Sequence, residues 1–190
     1  VLFDQHDISN HVVKFYQKLY SSTNPSASGI ADYINSSNLT AVDQSVSDDI
    51  NHNISISELD QIVGKLSNNK SPGWDGLTAE FYKEFWPEIR DTLFNSFQES
   101  VNRGTMTPSQ RIGILTLIPK PKTPAELCFI GNWRPITILN VDYKIFTHVI
   151  KNRLNIALPY IINKVQAGFQ GGKSSCDNLI LMSLVLENFN

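Results

Sequence analysis

Residues suited to gripping phosphate occur at three places in this sequence. The first is the run Ala167-Gly168-Phe169-Gln170-Gly171-Gly172-Lys173-Ser174, close to the pattern G-x-x-x-x-G-K-S/T. In that pattern glycines let backbone N–H groups close around a phosphate, and the lysine neutralises it. Here Ala167 stands where the first glycine belongs. The preceding stretch, Pro159 to Gln166, does not read as a buried strand. A full nucleotide cradle is therefore not expected. Two readings stay open: a glycine-loosened loop before a helix, or a loop that brings backbone donors and Lys173 to a nucleic-acid phosphate.

The second place is Leu117-Ile118-Pro119-Lys120-Pro121-Lys122, followed by Asn132-Trp133-Arg134-Pro135-Ile136-Thr137. Lys120 and Lys122 leave one strand-like segment, and Arg134 enters the next. If the two strands pair, these cations converge at one end of a ribbon. Arg134 offers a planar fork suited to phosphate or to stacking on a base. A hairpin with a basic, soluble tip is the bland alternative. The third place is Lys70-Ser71-Pro72-Gly73-Trp74-Asp75-Gly76. A plain Asp-Gly turn between helices accounts for Gly73, Asp75 and Gly76. It does not require Lys70 or Trp74.

Charge is distributed unevenly. Residues 1–102 carry 6 Lys/Arg against 14 Asp/Glu, a net of −8. Residues 103–173 carry 10 Lys/Arg against Glu126 and Asp142 alone, a net of +8. A long block of one sign fits a polyanion, because each phosphate neutralised releases counterions. Lys151 and Arg153 read as a solvated helix face. Lys120, Lys122 and Arg134 do not, because they flank apolar segments.

The elements that must position these groups follow from pattern. A helix is predicted from about Ser9 to Tyr20, then a Ser/Asn/Thr/Pro-rich polar linker, residues 21–53. Ser57, with Asp60 three residues on, is expected to cap a helix bearing Leu59, Ile62 and Val63. Thr78 opens a helix with Phe81 and Phe85. Pro87 lies in the first turn of the next helix, which Gly104 stops. Ile112 to Ile118 reads as a buried strand and Arg134 to Leu139 as its antiparallel partner. Asn140 caps a long helix that Pro159 ends, and a last apolar helix follows the glycine-rich loop. The fold class is α+β, mostly helical, with a short antiparallel β ribbon packed by helices. Two domains are expected: residues 1–53, an N-terminal helix and polar linker, and residues 54–190.

Several function classes drop out. With 41% hydrophobic and 18% charged residues the chain can bury a core, which excludes wholesale disorder. No apolar run reaches the roughly 20 residues that cross a bilayer, so no membrane partner is expected. Cys128 and Cys176 are too few for a disulfide framework and read as reduced, semi-buried thiols. There is no signal peptide, and both ends look cut from a longer polypeptide. Leu179, Ile180, Leu184 and Leu186 on the final helix would then lie uncovered. No paired carboxylates, metal-spaced histidines or Ser/His/Asp set can be assembled, so no catalytic residue and no metal ligand is assigned.

In this order and spacing, the motifs resemble the N-terminal portion of the reverse transcriptase of non-LTR, LINE-type retrotransposons. The resemblance rests on Lys70-Ser71-Pro72-Gly73-x-Asp75-Gly76 with Thr78 to Lys83, on Leu115 to Pro121, on Asn132 to Asn140 with Tyr143-Lys144-Ile145, and on Gln166-Ala167-Gly168-Phe169 with Gly172-Lys173-Ser174 and Asp177-Asn178. It covers about residues 54–190. Residues 1–53 resemble the variable linker after an endonuclease domain. Position 173 is usually Arg in that family, and Lys173 would keep a phosphate contact but not a bidentate one.

The resemblance implies the fingers and the start of the palm of a right-hand polymerase. It assigns Lys120, Lys122 and Arg134 to the incoming deoxynucleoside triphosphate. It assigns Lys70, Gly73, Asp75, Gly76, Gln166, Gly168, Phe169 and Lys173 to template or nucleic acid. It implies RNA template and DNA primer as partners, and Mg²⁺ as cofactor in the intact parent, held by palm aspartates that these residues do not include. The chain alone is therefore expected to be inactive. Its other partners would be the remainder of the polyprotein: palm, thumb and an upstream endonuclease. The implied location is intracellular, in cytoplasm and nucleus. The alternative is a retroelement-derived module that binds RNA or template–primer without catalysis.

Overall fold

The computed structural model describes residues 3–37, 41–120, 123–163, 165–168 and 171–188. The described chain divides into two compact units, residues 1–37 with 53–151 and residues 38–52 with 152–190.

In the first unit, helix α1 spans Gln5–Leu19 and starts on Asp4, whose carboxylate accepts from the N–H groups of His6 and Asp7. The run expected to be linker holds two helices, α2 (Ala27–Ser36) and, in the second unit, α3 (Gln44–Asn51). Ser26 Oγ caps α2 by accepting the Gly29 N–H at 3.1 Å. Local capping was enough to form a helix where apolar residues are sparse.

Helix α4 (Ile56–Gly64) begins at Ser55, not Ser57. Ser55 Oγ accepts from Glu58 N–H at 3.3 Å, and the Glu58 carboxylate accepts from Ser55 N–H at 2.9 Å. Glutamate reaches back to the cap, whereas Asp60 is one methylene shorter. Asp60 instead accepts the Trp86 indole N–H at 2.7 Å. Helix α5 (Ala79–Glu84) is capped by Thr78. Helix α6 (Trp86–Arg103) has Pro87 in its first turn and stops at Gly104, whose φ of 67° suits a residue without Cβ.

Strands β1 (Gly113–Pro119) and β2 (Trp133–Leu139) form the antiparallel ribbon, with Ile118 opposite Arg134 and Gly113 opposite Leu139. Lys120 N–H donates to the Asn132 carbonyl at 2.9 Å. This bond sets the phase of the ladder. Even-numbered positions of the two strands face each other with their hydrogen-bonding groups, and odd-numbered ones point theirs outward. Both Pro119 and Pro135 are odd, so neither removes a ladder bond. The expectation of a buried strand fails here. Ile114, Leu115, Ile118 and Ile136 are exposed, because a two-stranded ribbon has two faces and helices do not cover them.

Helix α7 spans Val141–Ile161 and runs through Pro159. The proline falls in the last turn, where its missing N–H and ring disturb little helix beyond it. Val141, Ile145 and Val149 lie four residues apart on one face. They pack with Leu59, Ile62, Val63, Tyr82 and Phe97 as the core of this unit.

In the second unit Arg153, on α7, is 9% exposed. Its guanidinium donates to the carbonyls of Ile50 and His52 at the C-terminal end of α3. The solvated-face reading of Arg153 is thereby overturned: a cation meets the negative end of a helix. Helix α8 (Ser175–Asn188) leaves Leu179, Ile180, Leu184 and Leu186 exposed. Cys128 and Cys176 are exposed free thiols, not semi-buried ones.

Candidate nucleic-acid interface

The ribbon brings Lys120 and Arg134 to one end, as strand pairing required. Arg134 is exposed, on the same ribbon face as Ile114, Ile118 and Ile136. Lys120 is half-buried, and its ammonium donates to the Gly131 carbonyl at 2.7 Å. Lys122 lies outside the described residues. The loop that closes this end is built by side chains. Thr123 N–H and Oγ donate to the Glu126 carboxylate at 3.0 and 2.8 Å. Asn132 Nδ2 donates to the Glu126 carbonyl at 2.7 Å, and Trp133 Nε1 to the Leu127 carbonyl at 2.9 Å. Of the Asn-Trp-Arg-Pro motif, the first two residues fasten the loop and the third is left exposed.

The turn at residues 70–76 docks at the opposite end of the ribbon. Gly73 is buried against Asn140, the residue between β2 and α7. A Cβ on Gly73 would lie 2.5 Å from Asn140 N and 2.6 Å from its Cα, and would overlap Oδ1. Gly76 N–H donates to the Gly73 carbonyl at 3.2 Å, and Leu77 N–H donates to Asp75 Oδ1 at 3.0 Å. Gly76 has φ of 74°, a left-handed conformation that favours glycine. The entry to the turn is held from α5: Asn69 N–H donates to the Glu80 carboxylate at 2.5 Å, a bond that keeps this carboxyl below its ordinary range. Lys70 and Trp74 are exposed.

Beneath the turn sits a polar knot that the sequence did not announce. Asn140 Nδ2 donates to the Ser109 carbonyl at 3.2 Å, while its Oδ1 is buried with no hydrogen-bond partner. Gly73 abuts that oxygen. Burial raises the Asp142 carboxyl above its ordinary value, and the Asp75 charge adds to the rise. The Tyr143 N–H and the Gln110 side chain oppose it. Burial also pushes the Tyr82 hydroxyl up, with Asp142 and Asp75 adding to the effect. The signal available in sequence was the polar triplet Gln110, Asn140 and Asp142 bracketing two apolar strands. Asn140 was legible only as a helix cap.

These two groups of site residues are thus held apart. One is at the Gly113–Leu139 end and the other at the Pro119–Trp133 end. Six steps along β2 at about 3.3 Å each put them ~20 Å from one another.

The remaining predicted residues belong to the second unit. Lys173 Nζ donates to the Gln166 carbonyl at 3.3 Å, and Gln166 Nε2 to the Gly168 carbonyl at 3.2 Å. Phe169 lies outside the described residues. Ser174 N–H donates to the Asp177 carboxylate at 2.9 Å, so α8 closes part of its own N-terminus with its own side chain. Among the described residues no group of three or more His, Cys, Asp or Glu could hold a metal ion. The Mg²⁺ that the resemblance implies finds no ligand set in them. No described helix is long and apolar enough to cross a membrane.

No protein-family profile matches the chain. It is 32% identical over 186 residues to an uncharacterised 149 kDa protein of transposon TX1 from Xenopus laevis, covering 98% of the chain and 14% of that protein. It is 26% identical over 121 residues to a 115 kDa protein of the type-1 retrotransposable element R1DM of Drosophila melanogaster, covering 63% of the chain and 12% of that protein. The chain therefore spans only a small part of the length of either. These similarities relate it to proteins encoded by retrotransposons.

Proposed function

We propose that the chain is the fingers and palm-entry part of a retrotransposon reverse transcriptase, the RNA-directed DNA polymerase of a non-LTR element. The observation that carries this reading is the basic ribbon end. Lys120 and Arg134 come from different strands, and the ladder brings both to the same end of the ribbon, Arg134 opposite Ile118 and Lys120 next to Asn132. They are the positions that the resemblance gives to a triphosphate, within a chain similar over nearly its whole length to a transposon-encoded protein.

In this reading Arg134 grips phosphate with a two-pronged donor set, and Lys120 holds the loop that presents it. The turn at Lys70 to Gly76 supports the template. The intact parent would extend a DNA primer on an RNA template, using deoxynucleoside triphosphates and Mg²⁺ held by residues outside this set. It would act inside the cell, between cytoplasm and nucleus, together with the palm, thumb and endonuclease of the same polyprotein.

The test is binding of the chain to a labelled RNA–DNA template–primer across a salt series, with Arg134→Ala alongside. Steeply salt-dependent binding that weakens in the variant is the expected result. A folded sample that does not bind would overturn the reading.

A further inference from the structure

Trp74 is 64% exposed. The other two tryptophans are half-buried, and each gives its indole N–H to the protein, Trp86 to Asp60 and Trp133 to the Leu127 carbonyl. Trp74 has a different setting. It occupies the second position of the turn closed by Gly73 and Gly76. Gly73 on one side is walled by Asn140, and Asp75 on the other is tied to Leu77 N–H. The backbone on both sides of the ring is therefore fixed while the ring is in water. A fold gains no burial from a large aromatic residue placed this way. A ligand would gain a rigid flat surface whose ordering cost is already met.

Three cations lie on segments that meet at Asn140, and the exposed Asp75 is the one anion of the turn. Lys70 begins the turn. Arg111 follows the Ser109–Gln110 segment that Asn140 holds, and Lys144 lies one helical turn beyond Asn140 on α7. Lys70 and Arg111 are exposed and Lys144 is half-buried. An aromatic face among cations on a backbone that cannot yield is what a single polynucleotide strand requires. Every base has a π-face, and every linkage has a phosphate. A duplex keeps its base faces stacked inside and cannot use the ring.

We propose that Trp74 is a stacking platform for an unpaired base of a single-stranded polynucleotide, with Lys70, Arg111 and Lys144 receiving the neighbouring phosphates. This inference rests on the nucleic-acid reading above and adds to it the residue that favours single strands at the turn.

The test uses the whole 190-residue chain. The probes are an oligouridylate of about twelve nucleotides, within the usual range of single-strand site sizes, and an RNA duplex of the same length. Tryptophan emission and the anisotropy of labelled RNA are read together. Wild-type emission should be quenched by the single strand and not by the duplex. Trp74→Ala should abolish the quench and weaken single-strand binding about 5- to 150-fold, the span of one base stack. Trp74→Phe should keep most of the affinity. Because the ring is exposed, both variants should keep the wild-type circular dichroism and melting temperature. If Trp74→Ala binds like wild type while Arg134→Ala is weakened, the platform is refuted and the nucleic-acid reading stands. If folded wild type binds neither probe, nor the template–primer, both fall.

Discussion

Gly73 and Asn140 are packed so closely that no side chain can stand between them. A methyl group on Gly73 would meet the backbone N and Cα of Asn140 at 2.5 and 2.6 Å. Backbone cannot swing aside as the end of a lysine can. The turn and the β2–α7 junction therefore form one body, so the motif glycine is a packing residue. Gly73→Ala should destabilise the chain by about 1–3 kcal/mol, as overpacking does. Gly76→Ala meets open space and bears only the left-handed penalty of about 1–2 kcal/mol. Denaturant titration of both variants checks the order. Equal stability of Gly73→Ala and wild type would contradict the packing.

The knot beneath the turn should leave a mark on the pH dependence of stability. Asp142 has its folded-state value raised, first by burial and then by Asp75. Between the ordinary value of 3.8 and that raised value, the folded protein keeps a proton that the unfolded chain has released. The unfolded state then binds fewer protons, and stability falls as pH rises through this interval. Asp142→Asn keeps an acceptor for Tyr143 N–H and Gln110 and cannot ionise. Urea midpoints measured from acid to neutral pH should lose this part of the slope in the variant. An unchanged slope would refute the assignment.

Arg134 and Lys120 should separate in mutagenesis. Arg134 is exposed, and Arg134→Ala should leave the melting temperature near wild type. It should reduce the salt slope of nucleic-acid binding by about 0.7–0.9, the value for one phosphate contact. Lys120→Met removes the bond to Gly131, so its first effect should be faster hydrogen exchange in the loop before β2. If Lys120→Met changes the salt slope with no change in loop exchange, the two roles have been assigned the wrong way round.

Arg153 carries the corresponding prediction for the second unit. It is buried and donates to carbonyls at the end of α3. Arg153→Met should cost about 1.5–3 kcal/mol, the scale of a hydrogen bond to a charged group. The loss should appear as fraying of residues 44–51 in hydrogen exchange. Protection of that helix at wild-type level would show that the clamp is dispensable.

The two ends of the ribbon should also be felt by ligands of different length. To reach across ~20 Å at a stacked rise of about 3.4 Å per nucleotide takes about six nucleotides. A series of single-stranded oligomers should show a step in affinity near that length. A smooth rise with length would mean that the ends act independently.

Much of this was legible in the sequence. The ribbon, its antiparallel sense and the placing of Lys120 and Arg134 at one end follow from two short apolar runs flanked by prolines and cations. The start of α6 at Pro87 and its stop at Gly104 were equally plain, whereas Pro159, read as a stop, lies inside the last turn of α7. What escaped was tertiary. Helices α2, capped by Ser26, and α3, which has no side-chain cap but buries Val46, form within a polar stretch whose composition suggests a coil. Arg153 looks like any solvated arginine until the chain folds the end of α3 over it. The strands read as buried because β-branched runs usually are, and only a count of ribbon faces shows otherwise. Asn140 is one polar letter after an apolar strand, and its burial against Gly73 depends on residues far away in the chain.

The phase of the ribbon has a consequence for assembly. Pro119 and Pro135 occupy outward-pointing positions, so each outer edge lacks one amide donor where a neighbouring strand would pair. A chain that leaves Ile114, Leu115, Ile118 and Ile136 in solvent would otherwise offer a template for fibril growth. An incoming strand can bond only in short stretches before it meets a gap. The same two residues that look like motif punctuation thus act as gatekeepers, leaving the apolar faces available while the edges resist polymerising.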